Sequence, residues 1–416
     1  MISLNKFFGD SFYRQTMYVF FTKVLSSIIG FGTTVILVKS LGGQSSSEYF
    51  FLISLISVLT AVSTFGSPDA ILKFVAINKK HGNLVKLLVT NACLVAFGIS
   101  LAIVLLTYIV GFFFKDLLSD LLVLSMLILL PLSSLSLILS SALQGRGKVA
   151  LAMITSGMLQ NITVLVSLFF FADTYFETVF SFALGNLAAS FVAIYFFRKD
   201  LNNDLSSYNK NAYKSTCAAM FISQCVVQYN NNSAILLLGI LWCGTDLSIM
   251  AVSLKLTTLL SFIIISVNKV MAPKIASTYG DVGELQKLIT KSSRLMWLLC
   301  FPAVIALMLF SREILGMVDE SYRTQNMVLI ILVFGQLINV ITGNIGLLLS
   351  MTGHEKIQRN ILLASLLVSL LLGGVLIPTY GPLGAAIMAS TTIVLVNLSS
   401  YFYVLCKLKV NTLKLI

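Results

Sequence analysis

Six stretches of this chain run for 24 residues or more without a single Asp, Glu, Lys or Arg: 87–114, 121–145, 149–172, 215–245, 324–353 and 360–406. A helix needs about 20 apolar residues to cross about 30 Å of hydrocarbon, so each stretch is long enough to span a bilayer. The last, at 47 residues, is long enough to do so twice. Charged residues make up only 11% of the chain, whereas a soluble domain carries about 25% to stay hydrated. A soluble enzyme is therefore excluded. Lipid offers the backbone no hydrogen-bond partners, so spanning segments are helices or closed barrels. Runs of this length indicate an all-α polytopic membrane protein.

Charge-free stretches delimit about twelve spans, near 16–38, 48–66, 87–112, 121–141, 149–171, 178–197, 215–240, 247–268, 295–311, 324–349, 360–377 and 384–406. Pro378-Thr379-Tyr380-Gly381-Pro382 is a turn signal that divides the longest run. With both termini on one side, that side holds 22 Lys and Arg against 7 acids. The other holds Lys39, Lys115, Arg312 and Arg323 against 9 acids. Basic residues collect in cytoplasmic loops, which puts the N and C termini in the cytoplasm. The net charge of +12 is then a feature of topology, and no nucleic-acid partner is expected. The first apolar run is interrupted by Lys23 and lacks a small-residue cleavage site, so it is expected to remain as a span. The six cysteines show no CxxC spacing, and His81 and His354 sit in separate loops. No metal site and no cofactor are expected.

The chain also resembles itself at an offset near 200 residues. Gly82-Asn83-Leu84-Val85-Lys86-Leu87-Leu88 reads like Gly283-Glu284-Leu285-Gln286-Lys287-Leu288-Ile289, and Gly145-Arg146-Gly147-Lys148-Val149 like Gly353-His354-Glu355-Lys356-Ile357. Pro68 and Pro273 lie upstream, each just past the second span of its half. Equivalent loops face the same side, so the repeats are parallel. The expected organisation is a six-helix bundle over 1–200, a cytoplasmic linker over 201–214 and a second six-helix bundle over 215–416. Substrate would bind between the halves, with alternating access by rocking.

Polar groups inside spans are costly and therefore informative. Lys255 falls near the middle of the eighth span and Lys23 in the inner third of the first, with no carboxylate deep in any span. The nearest acid, Asp69, follows Pro68 at the end of the second span, where an i,i+4 pair with Lys73 is expected. In the seventh span Gln224, Gln228 and Asn231 share a helix face, with Asn230 and Asn232 adjoining. In the tenth, Gln336, Asn339 and Asn344 do so. Gln160, Asn161 and Asn186 add amides in the fifth and sixth. Interhelical hydrogen bonding explains any one of these amides. Together they suggest a hydrated path suited to sugar hydroxyls, and the lysines would complement a phosphate or pyrophosphate.

Three segments resemble a known family. Phe65-Gly66-Ser67-Pro68-Asp69-Ala70-Ile71-Leu72-Lys73-Phe74 is similar to the segment after the second span in polysaccharide-exporting members of the multidrug/oligosaccharidyl-lipid/polysaccharide (MOP) flippase superfamily. Met271-Ala272-Pro273-Lys274-Ile275-Ala276 resembles its counterpart in the second half. Leu376-Ile377-Pro378-Thr379-Tyr380-Gly381-Pro382-Leu383-Gly384-Ala385-Ala386-Ile387 is similar to that family's late turn. O-antigen flippases (Wzx-type) are the nearest likeness. The resemblance implies a multi-pass protein of the bacterial inner membrane, a MATE-like fold and no enzymatic activity. It implies movement of undecaprenyl-pyrophosphate-linked oligosaccharide units between leaflets during lipopolysaccharide O-antigen biosynthesis. Its implied partners are that lipid-linked glycan, membrane lipids, the O-antigen polymerase and a chain-length regulator. On this basis Lys23 and Lys255 are candidates for the pyrophosphate, and Gln224, Gln228, Asn231, Gln336 and Asn339 for the sugar path. Asp69 is the candidate for coupling to protons. Flippases for capsule or enterobacterial common antigen, and multidrug exporters of the same fold, are the alternatives. An O-antigen polymerase would need a large periplasmic loop, and the longest outer loop here runs only over about 312–323. Gly145-Arg146-Gly147-Lys148 is too short for a phosphate-binding loop.

Overall fold

A computed structural model describes residues 11–77, 82–113, 120–171, 173–198, 210–242, 246–278, 282–343 and 345–413. Most of the expected linker 201–214, together with His81, Cys243 and Asn344, lies outside the described residues. Every regular element among the described residues is helical. In the first part of the chain these are α1 (Ser11–Thr64), α2 (Ser67–Ile77), α3 (Gly82–Phe113), α4 (Asp120–Gly145), α5 (Val149–Phe170), α6 (Tyr175–Arg198) and α7 (Lys210–Leu241). They are followed by α8 (Leu247–Thr278), α9 (Val282–Leu309), α10 (Ser311–Gly316), α11 (Asn326–Thr342), α12 (Ile345–Met351), α13 (Glu355–Tyr380) and α14 (Pro382–Tyr403).

Ten segments among the described residues are long and apolar enough to cross a membrane. The first, Phe21–Thr64, is 44 residues long and is broken at Gly42 (φ 74°, ψ 177°), so the first two expected spans lie on its two arms. The expected loop between them is mostly helix. The hydroxyls of Ser46 and Ser47 donate to the carbonyls of Gly42 and Gly43 (2.6 and 2.7 Å), so these polar residues serve the break itself. The long helix α7 is not among the ten, because Gln224, Gln228 and Asn230 to Asn232 dilute its apolar content.

One sequence expectation changes. The tenth span was expected to run unbroken over 324–349; instead α11 stops at Gly343 (φ 76°), whose left-handed backbone separates it from α12. Pro273 lies past the apolar span Leu247–Ile265, and the backbone of α8 stays helical through it to Thr278. The first half differs there because Phe65 (φ 46°) and Gly66 (φ 70°) precede Pro68. The turn within 360–406 falls at Gly381 (φ 56°), with Pro382 opening α14 at a position where its missing N–H costs nothing.

The chain packs as two units, Met1–Gln228 and Tyr229–Ile416, divided within α7. In the first, α4 packs on α1, α2, α3 and α6, and α6 on α5. Ile71, Val85, Leu88, Ile138, Leu143 and Ala193 form its core. In the second, α11 packs on α8, α9 and α14, and α14 on α13, around Ile264, Ile289, Met296, Leu348 and Tyr401. Taking the expected spans in order, third with fourth, fourth with sixth and fifth with sixth recur as partners in both halves. Small residues allow these close approaches: a Cβ on Gly335 would meet Ser390 at 2.9 Å, and one on Gly185 would meet the Cα of Gln160 at 2.7 Å.

Candidate functional site

A cavity of about 420 Å³ opens within the first unit, walled by the start of α2, the end of α4, the start of α5 and the middle of α7. Its size falls within the range of small-ligand sites, about 300–1,000 Å³. Local backbone devices build each wall. At the α1–α2 junction, Phe65 and Gly66 both adopt positive φ, and α2 restarts at Ser67. Only glycine fits at Gly66, because a Cβ there would run into the Cys217 carbonyl oxygen and the Phe221 amide nitrogen of α7. The Phe65 ring stacks on Phe221 with centroids 4.4 Å apart, fixing α7 against the junction. Asp69 then sits in the first turn of α2, where the positive end of the helix dipole favours a carboxylate.

On α4 the last turns carry Ser140, Ser141 and Gln144, and on α7 Ser223, Gln224, Val227 and Gln228 fall on one face. The α5 wall contains a wide π turn over Ile154–Met158, a device frequent at functional sites, which turns Ser156 to the cavity. Its neighbour Thr155 is buried and bonds Ser140 (2.8 Å).

The lining is thus one carboxylate, three carboxamides and four hydroxyls, with no Lys, Arg or His among the described lining residues. Partial burial pushes the Asp69 carboxyl above the ordinary aspartate range. The expected pair with Lys73 does not form, although both residues are described; the carboxylate borders the cavity instead. The Oε1 of Gln224 is enclosed and accepts no hydrogen bond.

The structure brings together three of the residues singled out in the sequence, Asp69, Gln224 and Gln228. Lys23, half-buried on α1, and Lys255, exposed on α8, do not line this cavity. In the second unit Gln336 accepts from Asn339 (3.1 Å) and from Ser261 of α8 (3.3 Å), a polar cluster joining α8 to α11. Asn230 donates to Ser365 (3.0 Å), and Ser369 to the Tyr229 hydroxyl (3.4 Å), tying α7 to α13. Asn231, on the same helix, is exposed. Gln160 donates to Asn186 (3.2 Å), so these two amides hold α5 to α6. Sequence reasoning missed Ser140, Gln144, Ser156 and Ser223. The i,i+4 spacing of Ser140 and Gln144 was the available signal, hidden because both precede a basic turn.

Residues 12–279 match the family described as polysaccharide biosynthesis protein. No curated protein sequence matches the chain. Among solved structures, the chain is similar to the lipid II flippase MurJ in an inward closed conformation, with a TM-score of 0.74 at 16% identity over 93% of this chain and 87% of that one. It is also similar to an inward-facing multidrug resistance MATE family transporter of the MOP superfamily (TM-score 0.70, 12% identity, 92% and 94% covered). A MOP superfamily transporter from Pyrococcus furiosus, described as having a binding pocket of reverse polarity, gives a TM-score of 0.65 at 12% identity, with 95% of each chain covered. At these identities the likeness is one of fold.

Proposed function

Because this chain belongs to the polysaccharide biosynthesis protein family, we propose that it is a flippase for undecaprenyl-pyrophosphate-linked O-antigen units in the bacterial inner membrane. The observation that carries this is a cavity of amides and hydroxyls within a bundle of apolar helices. Gln and Ser each donate and accept hydrogen bonds, as sugar hydroxyls do, so the lining replaces the water a glycan would lose. The lipid tail would stay in the bilayer while the headgroup crosses by alternating access. In this scheme about twelve spans place both termini in the cytoplasm. Lys23 and Lys255 neutralise the pyrophosphate, Gln224, Gln228, Asn231, Gln336 and Asn339 wet the sugar path, and Asp69 exchanges the coupling proton. The O-antigen polymerase and a chain-length regulator would act on the delivered unit.

A deletion strain tests this directly. Complete single units should accumulate on the cytoplasmic leaflet of inner-membrane vesicles, and surface polysaccharide should be lost. Units that reach the periplasmic leaflet without polymerising would assign the protein to a later step. One observation favours a second function, export of cationic drugs: the only charged group lining the described cavity is the Asp69 carboxylate. Unchanged surface polysaccharide with raised sensitivity to cationic drugs would establish that instead.

A further inference from the structure

The cavity has a chemical bias that the family does not specify. Among the described lining residues the one charged group is the Asp69 carboxylate, set among the carboxamides of Gln144, Gln224 and Gln228. A carboxylate only accepts hydrogen bonds, so the charged position in the lining demands a donor. Sugar hydroxyls meet that demand, and the ammonium of an amino sugar meets it better. A uronic acid would instead bring a second carboxylate beside Asp69, with no Lys, Arg or His among the described lining residues to offset it. A pyrophosphate would be disfavoured for the same reason.

We propose that this cavity is a charge filter for the glycan, binding neutral or amino sugars, rejecting acidic ones and leaving the pyrophosphate to be held outside it. The inference rests on the flippase assignment for its substrate class, while its charge logic follows from the lining alone.

The test uses the purified full chain and two disaccharide probes that differ only in a terminal glucose or glucuronic acid. Each is prepared as an undecaprenyl-pyrophosphate conjugate, for translocation in proteoliposomes, and as a soluble methyl glycoside, for binding in nanodiscs. The wild type should prefer the glucose probe by about tenfold or more, Asp69→Asn should reduce that preference to about threefold or less, and Gln224→Glu should widen it. These shifts run in opposite directions, which damage to the fold would not produce. If Asp69→Asn does not fold, Gln224→Glu carries the test, and its failure to widen the preference overturns the filter. Equal handling of both probes by the wild type also overturns it. Translocation of both conjugates without discrimination would leave the flippase assignment standing and remove the filter. Discrimination between the soluble probes without translocation of either conjugate would do the reverse.

Discussion

Asp69 and Gly66 show how much single residues decide here. An aspartate whose folded pKa lies above its unfolded value is penalised when ionised, so the native state is handicapped at high pH. The handicap fades as pH falls through the folded pKa and is gone below the unfolded one. Asp69→Asn should therefore raise the thermal unfolding midpoint above the folded pKa and give no gain well below it. A pH series of unfolding midpoints for both proteins checks this, and a pH-independent difference would mean that charge is not the cause. Gly66→Ala should cost about 2 kcal/mol or more, since it strains a left-handed backbone and drives a Cβ into α7. Loss of monodisperse protein after detergent extraction is the expected result. Asp69 was conspicuous in the sequence as an acid just past the end of a span, but its neighbour Lys73 offered a simpler partner. Which way the carboxylate points depends on where α2 restarts, and that is set by two backbone dihedrals at Phe65 and Gly66.

At the level of helices, apolar length made most elements legible, and the exceptions share a cause. Residues that satisfy the backbone at a break look like loop residues, as do Ser46 and Ser47 beside Gly42. Amides that bond between helices look like residues awaiting a ligand. Gln160 and Asn186 were counted with the polar path, yet they bond each other. Replacing either alone with Leu should cost about 1 kcal/mol, because the interhelical bond is lost while the partner keeps only its bonds to nearby groups, Gln160 to Thr155 and Ser136 and Asn186 to the Phe182 carbonyl. The double replacement should cost less than the sum of the singles. Unfolding midpoints for the four proteins close that cycle, and strict additivity would show that the bond contributes nothing. The α7 amides divide differently: Gln224 and Gln228 border the cavity while Asn230 bonds α13. Their common face in the sequence does not contain that division, since it depends on which helices lie opposite.

For the whole molecule, the ten apolar spans among the described residues were legible because lipid imposes one length on every crossing. The charge of the cavity was not, because it depends on which polar residues meet from helices distant in sequence. The two intramembrane lysines drew attention by their cost, yet the cavity of the first unit is lined without them. If Lys255 neutralises a pyrophosphate, Lys255→Arg should retain more surface O-antigen than Lys255→Glu at matched protein level. Equal loss from both would point to packing. The division of the chain has a further consequence. The loops suggest a cut between α6 and α7, but the packing boundary lies 19 residues into α7, after Gln228. The opening turns of that helix follow the loop in the chain and yet belong with the bundle before it, so the second half lends the first part of its wall. Expressed as separate polypeptides, 1–204 and 205–416, neither fragment should accumulate alone: the first would expose the seat of Phe221, the second a stretch of helix with nothing to cover it. Co-expressed, they should copurify as a stoichiometric pair. Cutting the chain at the loop would therefore take a wall of the first bundle's cavity away with the second half.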